Sequence, residues 1–137
     1  DLSAKAIELN RAQLGERTDE ITWYECDVLE FMPERRFCLW HDRAVLHFLI
    51  DSTSQQRYAD ALRRALTYDG HVIIATFAVG GPERCSGLPV QQHDSASIQA
   101  LLGEAFGLIE TRRETHRTPQ GIEQEFEYFR LKREEST

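Results

Sequence analysis

Three polar residues, His41, Asp42 and Arg43, interrupt an otherwise apolar stretch, FCLWHDRAVLHFLID, which runs from Phe37 to Asp51. An imidazole or a carboxylate held beside an acceptor can take a proton from an attacking N–H or O–H group. A guanidinium can fork onto a carboxylate or phosphate. His41 is therefore the preferred proton acceptor, Asp42 its catalytic neighbour, and Arg43 the anchor for an anionic substrate. The run Phe37 to Trp40 reads as a buried strand, because parallel strands covered on both faces are nearly continuous in apolar residues. In open α/β sheets, ligands lie just beyond the carboxyl ends of the strands, which is where these three residues fall.

Other residues carry chemistry with a plainer reading beside it. Asp1 opens a helical pattern and serves equally as a carboxylate at a helix start. Asp27 closes ITWYECDV, Ile21 to Val28, a β-branched and aromatic run that reads as a strand, and it serves equally as the cap of the next turn. His47 sits on an apolar stretch, which favours a core histidine over a catalytic one. Cys85, next to Arg84 in a glycine- and proline-rich stretch, lacks the base that a nucleophilic thiol needs. His41, Asp42, His47, Cys85 and His93 show no ligand spacing on one element, so no metal site is expected.

The elements that must position these residues follow from periodicity. DLSAKAIELNRAQLG reads as a helix with Ser3 as N-cap and Gly15 as its stop. After the Phe37 strand, which is expected to be central, Ser52 or Ser54 caps a helix with Tyr58, Ala61, Leu62, Ala65 and Leu66 on one stripe, ended by Asp69 and Gly70. HVIIATFA, His71 to Ala78, is the strongest buried-strand signal and is also expected to be central. Val79 to His93 is a long loop of the kind that forms lids and binding surfaces. Asp94 or Ser95 then caps a helix carrying Ile98, Leu101, Leu102, Ala105 and Phe106, ended by Gly107. Leu108 to Thr115 and Ile122 to Arg133 flank a turn at Thr118 to Gly121 and predict an antiparallel hairpin, with the last four residues frayed.

At 137 residues, with 41% hydrophobic and 28% charged, the chain reads as one domain, 1–137, of ordinary globular composition. A net charge of −7 argues against nucleic acid or an anionic membrane as the main partner, since both reward clustered Lys and Arg. Three cysteines without CxxC spacing read as reduced thiols in a cytoplasmic protein. No apolar run is long enough to span a membrane.

The order of elements, taken with DLSAKAIELN, ECDV, LWHDRAVLHFL, GHVIIATFA, GPERCSGLPV and EFEYFRLKR, resembles the later two-thirds of a class I S-adenosylmethionine-dependent methyltransferase. The resemblance implies an α/β Rossmann-like sheet in a three-layer sandwich with a C-terminal antiparallel hairpin, incomplete at its N-terminal side. It implies that S-adenosyl-L-methionine is the cofactor, with Asp1 on its ribose hydroxyls, Leu2 beside the adenine, Asp27 on the adenine amino group and Val28 offering a backbone N–H to the ring. Trp40, His41 and Asp42 would border its methionine and methyl end. His47 falls where such enzymes often carry a histidine, and Cys85 and Ser86 would line part of the acceptor pocket. A hydride-transferring dinucleotide enzyme matches WHDR and the terminal hairpin less well.

The sequence departs from that family's pattern in lacking the first strand and the glycine-rich turn that holds the methionine end of the cofactor. The resemblance places two strands between ITWYEC and the Phe37 strand, so a gap or a rearranged sheet is expected there. Two readings follow: methyl transfer to a small molecule or a protein side chain, or a non-catalytic α/β module that persists as a homodimer through the incomplete sheet edge or through another partner.

Overall fold

The computed structural model describes residues 1–134. Its helices are α1 (Ala4–Leu14), α2 (Ser52–Ala65) and α3 (Ser95–Leu102). Its strands are β1 (Phe37–Arg43), β2 (Leu66–Phe77), β3 (Arg84–Cys85), β4 (Leu88–Pro89), β5 (Phe106–Arg117) and β6 (Glu123–Arg133). The main sheet has the order β1-β2-β6-β5. β1 runs parallel to β2, and β6 is antiparallel to both β2 and β5.

The mixed α/β architecture expected from the sequence is present. β2 is interior, as its β-branched run predicts, and β5 and β6 form the expected hairpin around Thr118 to Gly121. β1 is not central: it lies at the edge of the sheet, because among the described residues only β2 pairs with it. Ile21 to Val28 is likewise not a strand. Its backbone contacts run to the N-terminus, where Cys26 N–H donates to the Asp1 carbonyl at 3.0 Å and the Asp1 amino group donates to the Tyr24 carbonyl at 2.9 Å. A β-branched composition makes a ladder only where a neighbouring strand supplies partners.

Helix boundaries follow local chemistry. Ser3 Oγ accepts from Ala6 N–H at 3.0 Å to start α1, and Gly15, at φ 57°, stops it. α2 is capped by Asp51, whose carboxylate accepts from Ser54 N–H at 2.9 Å, and not by Ser52 or Ser54. It ends at Ala65, and Leu66 begins β2 with no linker. The expected stop at Asp69 and Gly70 lies inside β2, where the register to β1 jumps from Phe37↔Leu66 to Leu39↔His71. Asp69 adopts φ 64° in this excursion. α3 starts from a reciprocal capping box between Asp94 and Ser97 and stops at Gly103, φ 89°, so Ala105 and Phe106 leave the helix and Phe106 opens β5.

α2 and α3 pack on one face of the sheet. Their residues Tyr58, Leu62, Ile98 and Leu102 meet Val72, Ile74, Phe129 and Leu131 in one buried core. At roughly 25 cal/mol per Å² of apolar surface removed from water, this core is the main stabilising term. The opposite face carries a smaller cluster, Ala75, Phe77 and Phe126, roofed by Ala44, Cys85 and Val90. Arg36 and Arg133 both donate to the carbonyls of Arg63 and Leu66, fastening the end of α2 to the starts of β1 and β2 and the end of β6.

A Cβ added at Gly70 would stand 2.6 Å from Leu66 Cγ and 2.7 Å from the Thr67 carbonyl oxygen. Gly70→Ala is therefore expected to destabilise the chain by about 1–3 kcal/mol, the usual range for forced overpacking. A urea midpoint that does not fall would show that the excursion in β2 relaxes freely.

Candidate functional site

The site grows from the end of β1. Side chains alternate across a strand. Trp40 and Asp42 therefore face α2, and His41 and Arg43 face the other way. Asp42 is 6% exposed. Its Oδ1 accepts from Val45 N–H at 2.9 Å, and its Oδ2 accepts from Leu46 N–H at 3.0 Å and from the Tyr58 hydroxyl at 2.5 Å. The Tyr58 oxygen in turn accepts from Trp40 Nε1–H at 2.9 Å, and the two rings meet edge to face. Burial raises the Asp42 pKa, and the bonds from Tyr58, Leu46 and Val45 oppose that rise. The Tyr58 hydroxyl is held well above its usual value by burial first and by Asp42 next, so it stays protonated and donates.

This carboxylate closes a chain reversal that includes Ala44 at φ 68°, a left-handed conformation that a residue with a Cβ adopts at a cost. Ala44 N–H donates to the Ala75 carbonyl at 2.9 Å, carrying the β1–β2 ladder one step past the strand. The reversal sets down the 3-10 turn Leu46–Phe48 and buries Leu46 and His47.

Arg43 has its own partners. Its Nε–H donates to the Tyr128 hydroxyl at 3.1 Å, and its guanidinium carbon lies 4.5 Å from the centre of the Phe126 ring. His41 is exposed beside it. A groove of about 980 Å³ opens between this end of β1 and the segment 1–31. Asp1, Leu2, Trp23, Cys26 and Val28 line its outer wall, and Leu39 to Val45 line its inner wall. The groove runs along the edge of β1 that no strand among the described residues covers.

Of the residues singled out in the sequence, the structure brings Asp1, Leu2, Val28, Trp40, His41, Asp42 and Arg43 to this one groove. Asp1 lies at the start of α1, where its carboxylate accepts from Ser3 N–H at 2.9 Å; Leu2 is 71% exposed. Asp27 is not on the groove's lining. Its Oδ1 accepts from Leu29 N–H at 2.9 Å and caps the 3-10 turn that begins at Val28. Cys85 and Ser86 stand apart in the β3–β4 hairpin, where Ser86 (φ 50°) and Gly87 (φ 78°) make the turn and Cys85 packs on the Phe77 cluster. His47 is fully buried, and burial, with His93 second, lowers its pKa to about 4. Among the described residues, no group of three or more His, Cys, Asp and Glu side chains is placed to hold a metal ion.

Sequence reasoning missed two participants. Tyr58 was visible only as a member of a helical stripe, and Tyr128 only as a strand residue. Nothing local marks either as a partner of Asp42 or Arg43.

Asp42→Ala would strand two backbone N–H groups and the buried Tyr58 hydroxyl, at about 1–3 kcal/mol for each buried donor left unsatisfied. A loss of at least 3 kcal/mol in chemical denaturation is expected, against roughly 1 kcal/mol for Tyr58→Phe. Equal, small losses in both variants would show that the turn does not depend on this carboxylate.

No family profile matches the chain, and no curated protein does. Solved structures do. The N-methyltransferase NodS from Bradyrhizobium japonicum WM9 aligns over 98% of this chain and 71% of its own, at 20% identity and a TM-score of 0.73. The same enzyme in complex with S-adenosyl-l-homocysteine aligns over 98% of this chain and 65% of its own, at 18% identity and a TM-score of 0.71. The 1,6-didemethyltoxoflavin-N1-methyltransferase of Burkholderia thailandensis, with 1,6-didemethyltoxoflavin and S-adenosylhomocysteine bound, aligns over 93% of this chain and 56% of its own, at 20% identity and a TM-score of 0.67. This chain thus spans a part of each of these proteins, and within that part it has the Rossmann-like fold of class I S-adenosylmethionine-dependent methyltransferases.

Proposed function

We propose that this chain contributes the adenosine and acceptor side of an S-adenosyl-L-methionine-dependent methyltransferase that acts on a small molecule or a protein side chain. The observation that carries this reading is the groove beside β1, which gathers Asp1, Leu2, Val28 and the Trp40–Arg43 segment around one space. The residues present fit the adenosine half of the cofactor. The exposed Asp1 carboxylate can accept from ribose hydroxyls, the exposed Leu2 side chain offers an apolar surface for adenine, and the turn at Val28 presents backbone to the ring edge. Asp27 serves this site by fixing that turn. When bound, the cofactor supplies a methyl group made electrophilic by a sulfonium.

The chain's own residues supply positioning and proton handling. Trp40 walls the groove from α2 and limits water, which supports an in-line displacement. His41, exposed at the rim, takes the proton from the acceptor's N–H or O–H. Asp42, with its oxygens committed to Val45, Leu46 and Tyr58, holds the turn that presents His41 and Arg43; it is a positioning residue. Arg43, braced by Tyr128 and Phe126, anchors an anionic group of the acceptor, and Cys85 and Ser86 lie on the same side of the sheet, in the hairpin that would border it. The three free thiols fit a reducing, cytoplasmic setting, and no helix of the described residues is long and apolar enough to cross a membrane.

Calorimetric titration with S-adenosylmethionine and S-adenosylhomocysteine tests this directly. Saturable binding is expected, weakened about 10- to 100-fold by Asp1→Ala, the equivalent of one charge-assisted hydrogen bond of roughly 1.5–3 kcal/mol. Asp27→Ala is expected to weaken binding through the Val28 turn. Absence of binding would overturn the reading for this chain.

The second reading, a module completed by association, draws on the β1 edge. Its outer side faces the groove, Leu39 on it is 49% exposed, and it carries no charge before Asp42. Exposed apolar edges pair with other strands. A homodimer through β1 is expected in sedimentation velocity, with Leu39→Lys shifting it to monomer. A wild-type chain that sediments as a monomer at all concentrations removes this reading.

A further inference from the structure

The face of the sheet away from α2 and α3 is roofed at one end only, by the loop 79–93 over Phe77 and Phe126. Beyond that roof, side chains from all the strands of the main sheet stand in rows set by the register. Arg43, Ala75, Tyr128 and Arg112 make one row across β1, β2, β6 and β5. His41, Ile73, Arg130 and Glu110 make the next, and Leu39, His71 and Lys132 follow. β1 and β2 run parallel, and parallel strands are found with both faces covered. Here Leu39, His41, Arg43, Glu110, Arg112 and Arg130 are exposed.

The charge of this face runs against that of the chain, which has 23 Asp and Glu against 16 Lys and Arg. On the face, Arg43, Arg112, Arg130 and Lys132 meet Glu110, with Glu114 at the margin. Glu110 Oε1 lies 3.8 Å from an Arg112 nitrogen and its Oε2 lies 4.0 Å from an Arg130 nitrogen. One exposed carboxylate at these distances, shared between two guanidiniums, leaves the patch positive.

The floor of the patch is apolar. Ile73 and Tyr128 are diagonal neighbours across β2 and β6. The small Ala75 lets Arg43 reach over it to the Tyr128 hydroxyl at 3.1 Å. A hollow of about 340 Å³ opens here, with Ile73, Tyr128, Arg112 and Arg130 in its lining. An apolar centre inside a charged, solvated rim is the anatomy of a protein–protein contact.

The dimensions fit a helix. β1 and β5 are three strand spacings apart, about 14 Å, and a helix with its side chains is about 10–12 Å across. Laid along β2 and β6, a helix sets one apolar side chain in the hollow, one flank toward His41 and Arg43, and the other toward Arg112 and Arg130. Both flanks must then be acidic. The chain's own helices lack such flanks: α1 carries Lys5 and Arg11 against Glu8, α2 carries Arg57, Arg63 and Arg64 against Asp60, and α3 carries no charge. A second copy is therefore not the occupant. The net charge of −7 repels a nucleic-acid backbone at long range.

We propose that this face is a docking surface for an acidic amphipathic helix of a partner polypeptide, seated along β2 and β6 with an apolar side chain on Ile73 and Tyr128 and carboxylates on Arg43, Arg112 and Arg130. The surface goes beyond the proposed methyl transfer and shares only His41 and Arg43 with it. Arg112 and Arg130 have no part in the groove beside β1, so the test falls on them.

The probe is a synthetic helical peptide of about 18 residues, above the length at which isolated helices become marginal, with a leucine stripe flanked by glutamates. It is titrated into the isotope-labelled full chain and followed by amide NMR. Saturable binding is expected, with the Ile73, Tyr128 and Arg130 amides shifting, the α2 amides still, and affinity falling as salt is added. Arg112→Ala combined with Arg130→Ala is expected to weaken binding about 10-fold, the loss of two exposed ion pairs. Arg112→Glu combined with Arg130→Glu is expected to bind a lysine-flanked version of the peptide more tightly than the wild-type chain does, a gain that an unfolded variant cannot show. No binding, equal binding of a version with glutamine for glutamate, or shifts confined to the α2 and α3 side would each overturn the proposal. Tighter binding of a single-stranded oligonucleotide of equal charge would overturn it in favour of nucleic acid. No cofactor or methyl acceptor takes part, so these outcomes are distinct from a failure to bind S-adenosylmethionine.

Discussion

The Asp42 carboxylate takes the N–H groups of Val45 and Leu46 and the Tyr58 hydroxyl at once, and the rest of the site depends on that bond set. A strand that ends in a buried sheet leaves backbone groups without ladder partners, and the chain must reverse within a few residues or bury them unpaired. Asp42 solves this with one side chain from β1 and one from α2. The left-handed Ala44, the burial of Leu46 and the outward presentation of His41 and Arg43 all follow. A buried carboxyl group with three donors is tolerable in the interior; the same group without them is not. The residue nominated from sequence as half of a catalytic pair therefore gives its acceptor capacity to the fold.

The two sides of the sheet divide the work. α2 and α3 cover one face with the large core, and the opposite face is covered mainly at one end, where the loop 79–93 roofs Phe77 and Phe126. Arg43 belongs to that second side. Its contacts with Phe126 and Tyr128 combine a ring face with a hydroxyl, which keeps a cation extended at a rim with no carboxylate paired to it among the described residues. The sheet edges differ as well. β5 carries Glu110, Arg112, Arg113, Glu114 and Arg117 and is protected by charge, whereas β1 has apolar residues and a groove alongside.

Much of this was legible in the sequence where the physics is local. Ser3 and Gly15 bracket α1, Thr118 to Gly121 turn the hairpin, and β2 declares itself by composition. The ordered set of motifs carried the fold family. What escaped was non-local or competitive. Asp51 outcompeted Ser52 and Ser54 as a cap, since all three are good capping residues and only the approach of the chain chooses. Asp69 and Gly70 do make a turn, but inside a strand, where tertiary pairing overrides the local stop. Ile21 to Val28 has strand composition and no ladder partner among the described residues. Tyr58 and Tyr128 lie 16 and 85 residues from the groups they serve, a distance no pattern reports. His47 reads as a core histidine over a catalytic one, and it is fully buried, with Nδ1 accepting from Phe77 N–H, a partner 30 residues away that no spacing rule reports.

The position of β6 between β2 and β5 bears on how the chain is made. During synthesis, β1, α2 and β2 emerge before β6, and β2 then waits with an open apolar edge until residues 123–133 leave the ribosome. Arg133, which clasps the Arg63 and Leu66 carbonyls, arrives last of the residues in this sheet. Pairing over such a sequence separation is slow, because loop closure precedes any gain from contacts. The nascent chain thus passes through an interval in which the strand that will become the centre of the sheet is its most exposed segment, and chaperone occupancy should peak there.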